Sequence, residues 1–206
     1  MLPPPSKIVC VGRNYRAHAK ELGNDVPTTP LLFLKPSSAL IADGAAIELP
    51  AASAQVEFEG EIGVIVGTRL RRASEAEARA AVAAIVAAND VTARDLQKSD
   101  GQWTRAKGFD TFCPLGTPAA PPADLSTLEV VTRVNGAERQ RGRAAEMVFA
   151  IPALLSYISA IMTLEPGDLV LTGTPAGVGP LSAGDVVEVE IVGVSRVSNP
   201  VRAATG

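Results

Sequence analysis

One histidine and two cysteines occur in 206 residues, and each scarcity closes off a class of chemistry. With His18 alone, no site that needs two imidazole ligands can form, and any imidazole base has to be that residue. Cys10 and Cys113 stand in apolar settings without metal-ligand spacing, so they read as reduced core residues of an intracellular protein. No apolar run approaches the roughly 18 residues that cross a bilayer. The opening Met1-Leu2-Pro3-Pro4-Pro5-Ser6-Lys7 lacks the hydrophobic core of a secretory leader. A cytoplasmic protein with no membrane partner is therefore expected. A net charge of -3 offers no electrostatic basis for binding nucleic acid. There is no internal repeat. The chain has no G-x-S-x-G, so a serine nucleophile is not indicated. Gly173, Gly177 and Gly179 are followed by no Gly-Lys-Ser/Thr and lack dinucleotide spacing, so they read as a turn.

What is present is a globular composition, 47% apolar and 20% charged, long enough to bury a real core. We expect one domain spanning 1–206. The most informative stretch is Val56-Glu57-Phe58-Glu59-Gly60-Glu61-Ile62-Gly63-Val64-Ile65-Val66. Ile62 to Val66 reads as a buried strand stopped by Gly67. If the strand runs back through Val56, alternation places Glu57, Glu59 and Glu61 on one face, with Val56, Phe58 and Ile62 on the other. By itself such a row is more often a solvated strand face. Leading into a core strand, however, three carboxylates repel one another and lose solvation, which a hard divalent cation relieves. Asp90, closing an apolar segment, is a buried acid that needs a partner and a possible third oxygen ligand.

The remaining pattern is rich in strands. Lys7 to Gly12, Leu31 to Pro36, Ala46 to Pro50 and Asp168 to Thr172 read as short strands. Leu128 to Val134 before Asn135-Gly136 carries the strongest hairpin signal, and the alternating Asp185 to Val192 is expected to close the fold. Tyr15 to Leu22 reads as a short helix on which His18 and Glu21 share a face. Ser74 caps another helix, which gives way to a strand near Ile85. Residues 93–98 suit a helical turn, and 151–164 a core helix. Gly101 to Asp110 is expected to be a loop carrying Trp103 and Lys107, and Pro114 to Pro122 a proline-rich connector.

Taken in order, the motifs Gly-Arg-Asn-Tyr-x-x-His-x-x-Glu (12–21), Leu-Phe-Leu-Lys-Pro (32–36), Glu-Gly-Glu-Ile (59–62), Asn-Asp-Val-Thr-Ala-Arg-Asp-Leu-Gln (89–97), Lys-Gly-Phe-Asp (107–110) and Leu-Thr-Gly-Thr-Pro-x-Gly-Val-Gly (171–179) resemble the fumarylacetoacetate hydrolase family over nearly the whole chain. The shortness of the chain resembles its acylpyruvase and fumarylpyruvate hydrolase branch, which includes oxaloacetate decarboxylases. The resemblance implies a β-rich α+β fold, a mixed β-roll or barrel with a few short helices, as a homodimer binding Mg²⁺ or Mn²⁺, with Ca²⁺ as a substitute. By the same resemblance Glu59, Glu61 and Asp90 are the metal ligands, Gln97, Lys107 and Thr174 bind substrate, and His18, Glu21 and Lys107 are catalytic. Glu57 stands behind the ligands, and the segment holding His18 and Glu21 is mobile in related enzymes. One departure falls at Arg143-Ala144-Ala145-Glu146-Met147, where many relatives carry hydroxyl residues; a substrate contact there would alter specificity.

The implied chemistry is cleavage of a carbon–carbon bond in a 2,4-dioxo acid to give pyruvate and a carboxylic acid. A divalent ion would polarise the oxo acid, and Glu21 would orient His18 to take a proton from water. Oxaloacetate decarboxylation or dienoate isomerisation needs most of the same site, and a metal-stabilised scaffold without catalysis is the non-enzymatic alternative.

Overall fold

The computed structural model of the protein describes residues 5–21, 23 and 25–204. The opening residues 1–4 and the expected helix end at Leu22 lie outside them. In chain order the strands are β1 (Ile8–Gly12), β2 (Leu31–Lys35), β3 (Leu40–Ala42), β4 (Ile47–Leu49), β5 (Val56–Phe58), β6 (Gly60–Val66), β7 (Val82–Asn89) and β8 (Thr92–Ala93). They continue with β9 (Cys113–Leu115), β10 (Glu129–Val134), β11 (Ala137–Arg143), β12 (Leu169–Leu171), β13 (Gly179–Pro180), β14 (Val186–Ile191) and β15 (Ser195–Ala203). The helices are α1 (Arg16–Glu21), α2 (Glu75–Ala80), α3 (Arg94–Ser99), α4 (Thr104–Gly108) and α5 (Ile151–Ile161).

Three sheets result: β2-β1-β12-β6-β7-β9-β3, β11-β10-β14-β15-β4 and β13-β5-β8. Strand β1 runs parallel to β12 and β15 parallel to β4, among mainly antiparallel neighbours, so the sheets are mixed. The central strands β6 and β7 are apolar and buried along most of their length. Such runs belong inside a sheet covered on both faces. Strand β14 instead alternates buried and less buried residues, one face inward. The main core lies between the two large sheets, built from residues such as Val9, Ile62, Val130, Val189 and Val197, and α5 closes it with Leu154, Leu155 and Ile158. Helix α2 begins with a reciprocal capping box between Ser74 and Glu77, which satisfies two otherwise orphaned amides. The hairpin joining β10 to β11 turns at Asn135-Gly136, both at positive φ, as its twist requires.

Three expectations are corrected. The carboxylate stretch is two strands in two different sheets, broken at Glu59. All of Val56 to Val64 is buried on both faces, and no solvated face forms. Residues 101–110 contain a helix, α4, which carries Lys107. The chain is closed by β15, which pairs with both β14 and β4. Its polar sequence, Ser-Arg-Val-Ser-Asn-Pro-Val-Arg-Ala, hides the alternation because only Val197 and Val201 mark the inward face with large apolar side chains.

Among the described residues, no helix is long and apolar enough to cross a membrane. The beginning of the described chain is tied down by Asp168, which is fully buried. Its carboxylate accepts hydrogen bonds from Ser6 Oγ at 2.6 Å, the Lys7 amide at 3.2 Å and the Glu165 amide at 2.8 Å, and it pairs with Lys7 Nζ. Burial pushes this carboxyl up, but the bonds from Lys7 and Ser6 outweigh it and hold it below the ordinary range. A depressed folded value means that the stabilisation is present at neutral pH and is lost as pH falls through that value. Asp168→Asn is therefore expected to cost about 1–3 kcal/mol at pH 7. In urea melts the gap to the parent protein narrows below about pH 4, where the unfolded carboxyl protonates; a gap independent of pH would contradict this account.

Candidate metal centre and cleft

The ladder between β6 and β7 sets the site. Gly60 lies opposite Asn89 and Glu61 opposite Ala88, so one step further Glu59 meets Asp90. The Asp90 amide donates to the Glu59 carbonyl at 2.8 Å, and Asn89 Oδ1 accepts from the Glu59 amide at 2.9 Å. Gly60 is needed here because a Cβ would stand 1.9 Å from Thr132 Oγ1 in β10. Glu59, Glu61 and Asp90 thus come together, each offering an oxygen within 4.8 Å of the others, and all three are buried.

Cations surround them. Lys107 Nζ donates to Glu59 Oε2 at 2.8 Å and Asp90 Oδ2 at 2.7 Å. Lys35 Nζ, at the end of β2, donates to Asp90 Oδ1 at 2.7 Å and to the Val91 carbonyl. Arg94, at the start of α3, bridges Glu57 at 2.7 Å, Glu59 at 2.5 Å and Gln97 Oε1 at 2.5 Å. Four buried carboxylates, Glu57 included, therefore meet three buried cations. The carboxylate in excess is Glu61, which has no ion pair among the described residues and only the Gly173 amide as partner, at 2.6 Å. Burial, with Asp90 and Glu59 adding like charge, pushes the Glu61 carboxyl well above its usual range. Burial also opposes ionisation of Glu59, but Lys107 and Arg94 overcome it and hold that carboxyl well below. Burial works against the Lys107 ammonium, yet Asp90 and Glu59 keep it firmly protonated. Three converging oxygens, one of them without a cation, fit a hard divalent ion.

His18 is buried on α1, and its Nδ1 lies 3.2 Å from Glu21 Oε2. The other Glu21 oxygen accepts from the Gly177 amide at 2.9 Å. A carboxylate only accepts, so Nδ1 is the donor and Nε2 the basic nitrogen. Thr174 Oγ1 donates to the Gly60 carbonyl and accepts from Gln140.

His18, Glu59, Glu61, Gln97, Lys107 and Thr174 all line one cleft of about 290 Å³. Asp90 lies behind them, fully buried. Ala144 and Ala145 do not line this cleft but a second cavity beside Met147 and Ile151. Glu57 stands behind Glu59, joined to it through Arg94. Sequence reasoning missed four contributors: Lys35, Arg94 and Gln140 as buried partners, and Trp103 as a wall of the cleft. A lysine ending the apolar run Leu31 to Leu34 was the available signal, since a cation entering a core needs an anion there.

The thiols of Cys10 and Cys113 are buried, and burial pushes Cys113 up to about 12, so they do not serve as nucleophiles.

The family described as "Fumarylacetoacetate (FAA) hydrolase C-terminal" matches residues 7–202. "Oxaloacetate tautomerase FAHD1, mitochondrial" of Arabidopsis thaliana is 45% identical over 203 residues, 96% of this chain and 91% of that protein. "Oxaloacetate decarboxylase, mitochondrial" of Dictyostelium discoideum is 44% identical, over 91% of this chain and 89% of that one. The crystal structure of 5-carboxymethyl-2-hydroxymuconate delta-isomerase from Mycobacterium smegmatis superposes with a TM-score of 0.91 at 44% identity, over 98% of this chain and 81% of that one.

Proposed function

Because this chain belongs to the fumarylacetoacetate hydrolase C-terminal family, we propose that its cleft binds a short 2-oxo acid and interconverts its keto and enol forms. The named tautomerase and isomerase relatives support that direction. The observation that carries the proposal is His18, paired with Glu21, lining the same cleft as Glu59, Glu61 and Lys107. Imidazole is the one group lining this cleft that ordinarily exchanges protons near neutrality. Lys107 and Arg94 are held in their charged forms by carboxylates. Keto–enol exchange needs one such base: His18 takes a proton from the carbon beside the oxo group and returns it to the oxo oxygen. Glu21 holds the ring in the required tautomer and stabilises its protonated state.

Glu59, Glu61 and Asp90 would hold Mg²⁺ or Mn²⁺. When bound, such an ion supplies positive charge where an enolate develops. Hydrolysis of an acylpyruvate is the second reading, because the same Glu21-oriented imidazole can take a proton from water instead. It asks for more, namely a placed water and a proton donor for the departing carbon. The deciding experiment follows enol loss from oxaloacetate by absorbance, with Mg²⁺ or Mn²⁺, beside pyruvate release from acetylpyruvate and fumarylpyruvate. An enzyme-dependent rise in tautomerisation is expected to exceed pyruvate release. No rise defeats the proposal, and pyruvate release at a comparable rate favours hydrolysis.

Metal binding has its own readout. Saturation with Mg²⁺ or Mn²⁺ at about 100 times Kd is worth roughly 2.7 kcal/mol, so the melting temperature should rise by about 5–10 °C, and EDTA should reverse this. Glu61→Gln keeps an acceptor for the Gly173 amide and removes the uncompensated charge. Its metal-free melting temperature should equal or exceed that of the parent protein, while the metal-induced rise disappears. A persistent rise in that variant would exclude Glu61 as a ligand.

A further inference from the structure

We propose that Arg13 recognises the far carboxylate of the substrate, so that the cleft selects 2-oxo dicarboxylates over monocarboxylates of equal length. This rests on the reading of the cleft as a 2-oxo acid site. Arg13, Arg94, Lys98 and Lys107 are the cations lining that cleft. Lys107 is bonded to Glu59 and Asp90, and Arg94 to Glu57, Glu59 and Gln97. Their positive charges are already matched by buried carboxylates, although Lys107 keeps one N–H and Arg94 two beyond these bonds. Arg13 and Lys98 have no hydrogen bond or ion pair from their side chains among the described residues. Lys98 is exposed, whereas Arg13 is half-buried on the cleft wall.

The backbone singles out Arg13. Its φ is 62°, a left-handed conformation that costs a residue with a Cβ about 1 kcal/mol. The chain is clamped there from both sides. Strand β1 ends at Gly12, packed against Leu31 and Trp103. Asn14 is fully buried, exchanges hydrogen bonds with Phe149 and donates to the Thr172 carbonyl. The guanidinium is therefore rooted on a fixed turn, and a planar fork of N–H donors suits a carboxylate in two-point contact. The lining of the same cleft includes Val11, Phe33 and Trp103, with the Phe33 and Trp103 ring centres 5.2 Å apart in edge contact. These offer the carbon chain apolar surface, with Lys107 Nζ 4.9 Å from the centre of the Phe33 ring.

Trp103, the chain's only tryptophan, reports occupancy without turnover. The test titrates Mg²⁺-loaded full-length protein with 2-oxoglutarate, with 2-oxopentanoate of the same chain length, and with oxalate, following tryptophan emission. The parent protein should bind 2-oxoglutarate roughly tenfold or more tighter than 2-oxopentanoate. Arg13→Met should bring the two within about threefold, leaving 2-oxopentanoate and oxalate binding unchanged. Arg13→Gln, which also loses the charge, should agree and decides the matter if the Met variant fails to fold. The proposal is overturned if the parent protein shows no preference, if the Arg13 variants weaken all three ligands alike, or if Lys98→Met and not Arg13→Met abolishes the preference. Turnover is scored separately: the expected binding pattern without tautomerisation defeats the proposed function and leaves the role of Arg13 standing.

Discussion

Replacing His18 with alanine should lower the rate of keto–enol exchange by about 10²–10⁴-fold, the usual loss of a positioned acid–base group. The metal-induced rise in melting temperature should survive. His18 sits on α1, makes no hydrogen bond to the acids, and its only side-chain hydrogen-bond partner among the described residues is Glu21. Removing the ring therefore leaves Glu59, Glu61 and Asp90 with all their present bonds. Glu21→Gln should have a smaller effect, since the ring remains and loses only the carboxylate that fixes its tautomer. Steady-state rates on oxaloacetate, read beside thermal melts with and without Mg²⁺, test both. Full activity in the alanine variant would remove the imidazole from the chemistry. Decarboxylation that persists while tautomerisation collapses would instead separate two reactions in one cleft.

Asp90→Ala should be the most destabilising single change at the site. Each oxygen of Asp90 holds a buried ammonium, Lys35 at 2.7 Å and Lys107 at 2.7 Å, and all three side chains are essentially inaccessible to water. Truncation leaves Lys35 without a carboxylate and Lys107 with Glu59 alone. Breaking a buried pair from one side costs about 3–5 kcal/mol, which for a chain of this size lowers the melting temperature by roughly 10 °C. The metal-induced rise is lost in the same variant. This is opposite in sign to the expectation for metal-free Glu61→Gln, although both residues are candidate ligands. Asp90 neutralises two cations and Glu61 none. Thermal melts of the two variants, each without metal, are the check. A melting temperature for Asp90→Ala within about 2 °C of the parent would mean that the lysines find water or other partners on its removal.

The site was legible in the sequence where spacing along the chain decides geometry. His18 and Glu21 meet because three residues make nearly one helical turn. Glu59 and Glu61 come to one place because they are two apart at the head of a strand. The hairpin at Asn135-Gly136 and the capped helix at Ser74 follow from backbone preferences that act within four residues. The family resemblance rested on such short motifs in order, and the matched span of 7–202 agrees with it.

Other features were decided only by packing between distant segments. The apparent single strand from Val56 to Val66 breaks at Glu59 because β5 is claimed by β8 and β13, and β6 by β7 and β12. Glu57, expected behind the ligands, is joined to Glu59 by Arg94, 35 residues further along the chain. Lys35, Asp90 and Lys107 form one buried chain of charge although 72 residues separate the two lysines. Likewise Ala144-Ala145, conspicuous as a departure in sequence, lines a different cavity. Local propensity sets which residues can be helix, strand or turn. Which buried charge neutralises which is a Coulombic question between atoms a few ångströms apart, and only the folded chain puts those atoms side by side.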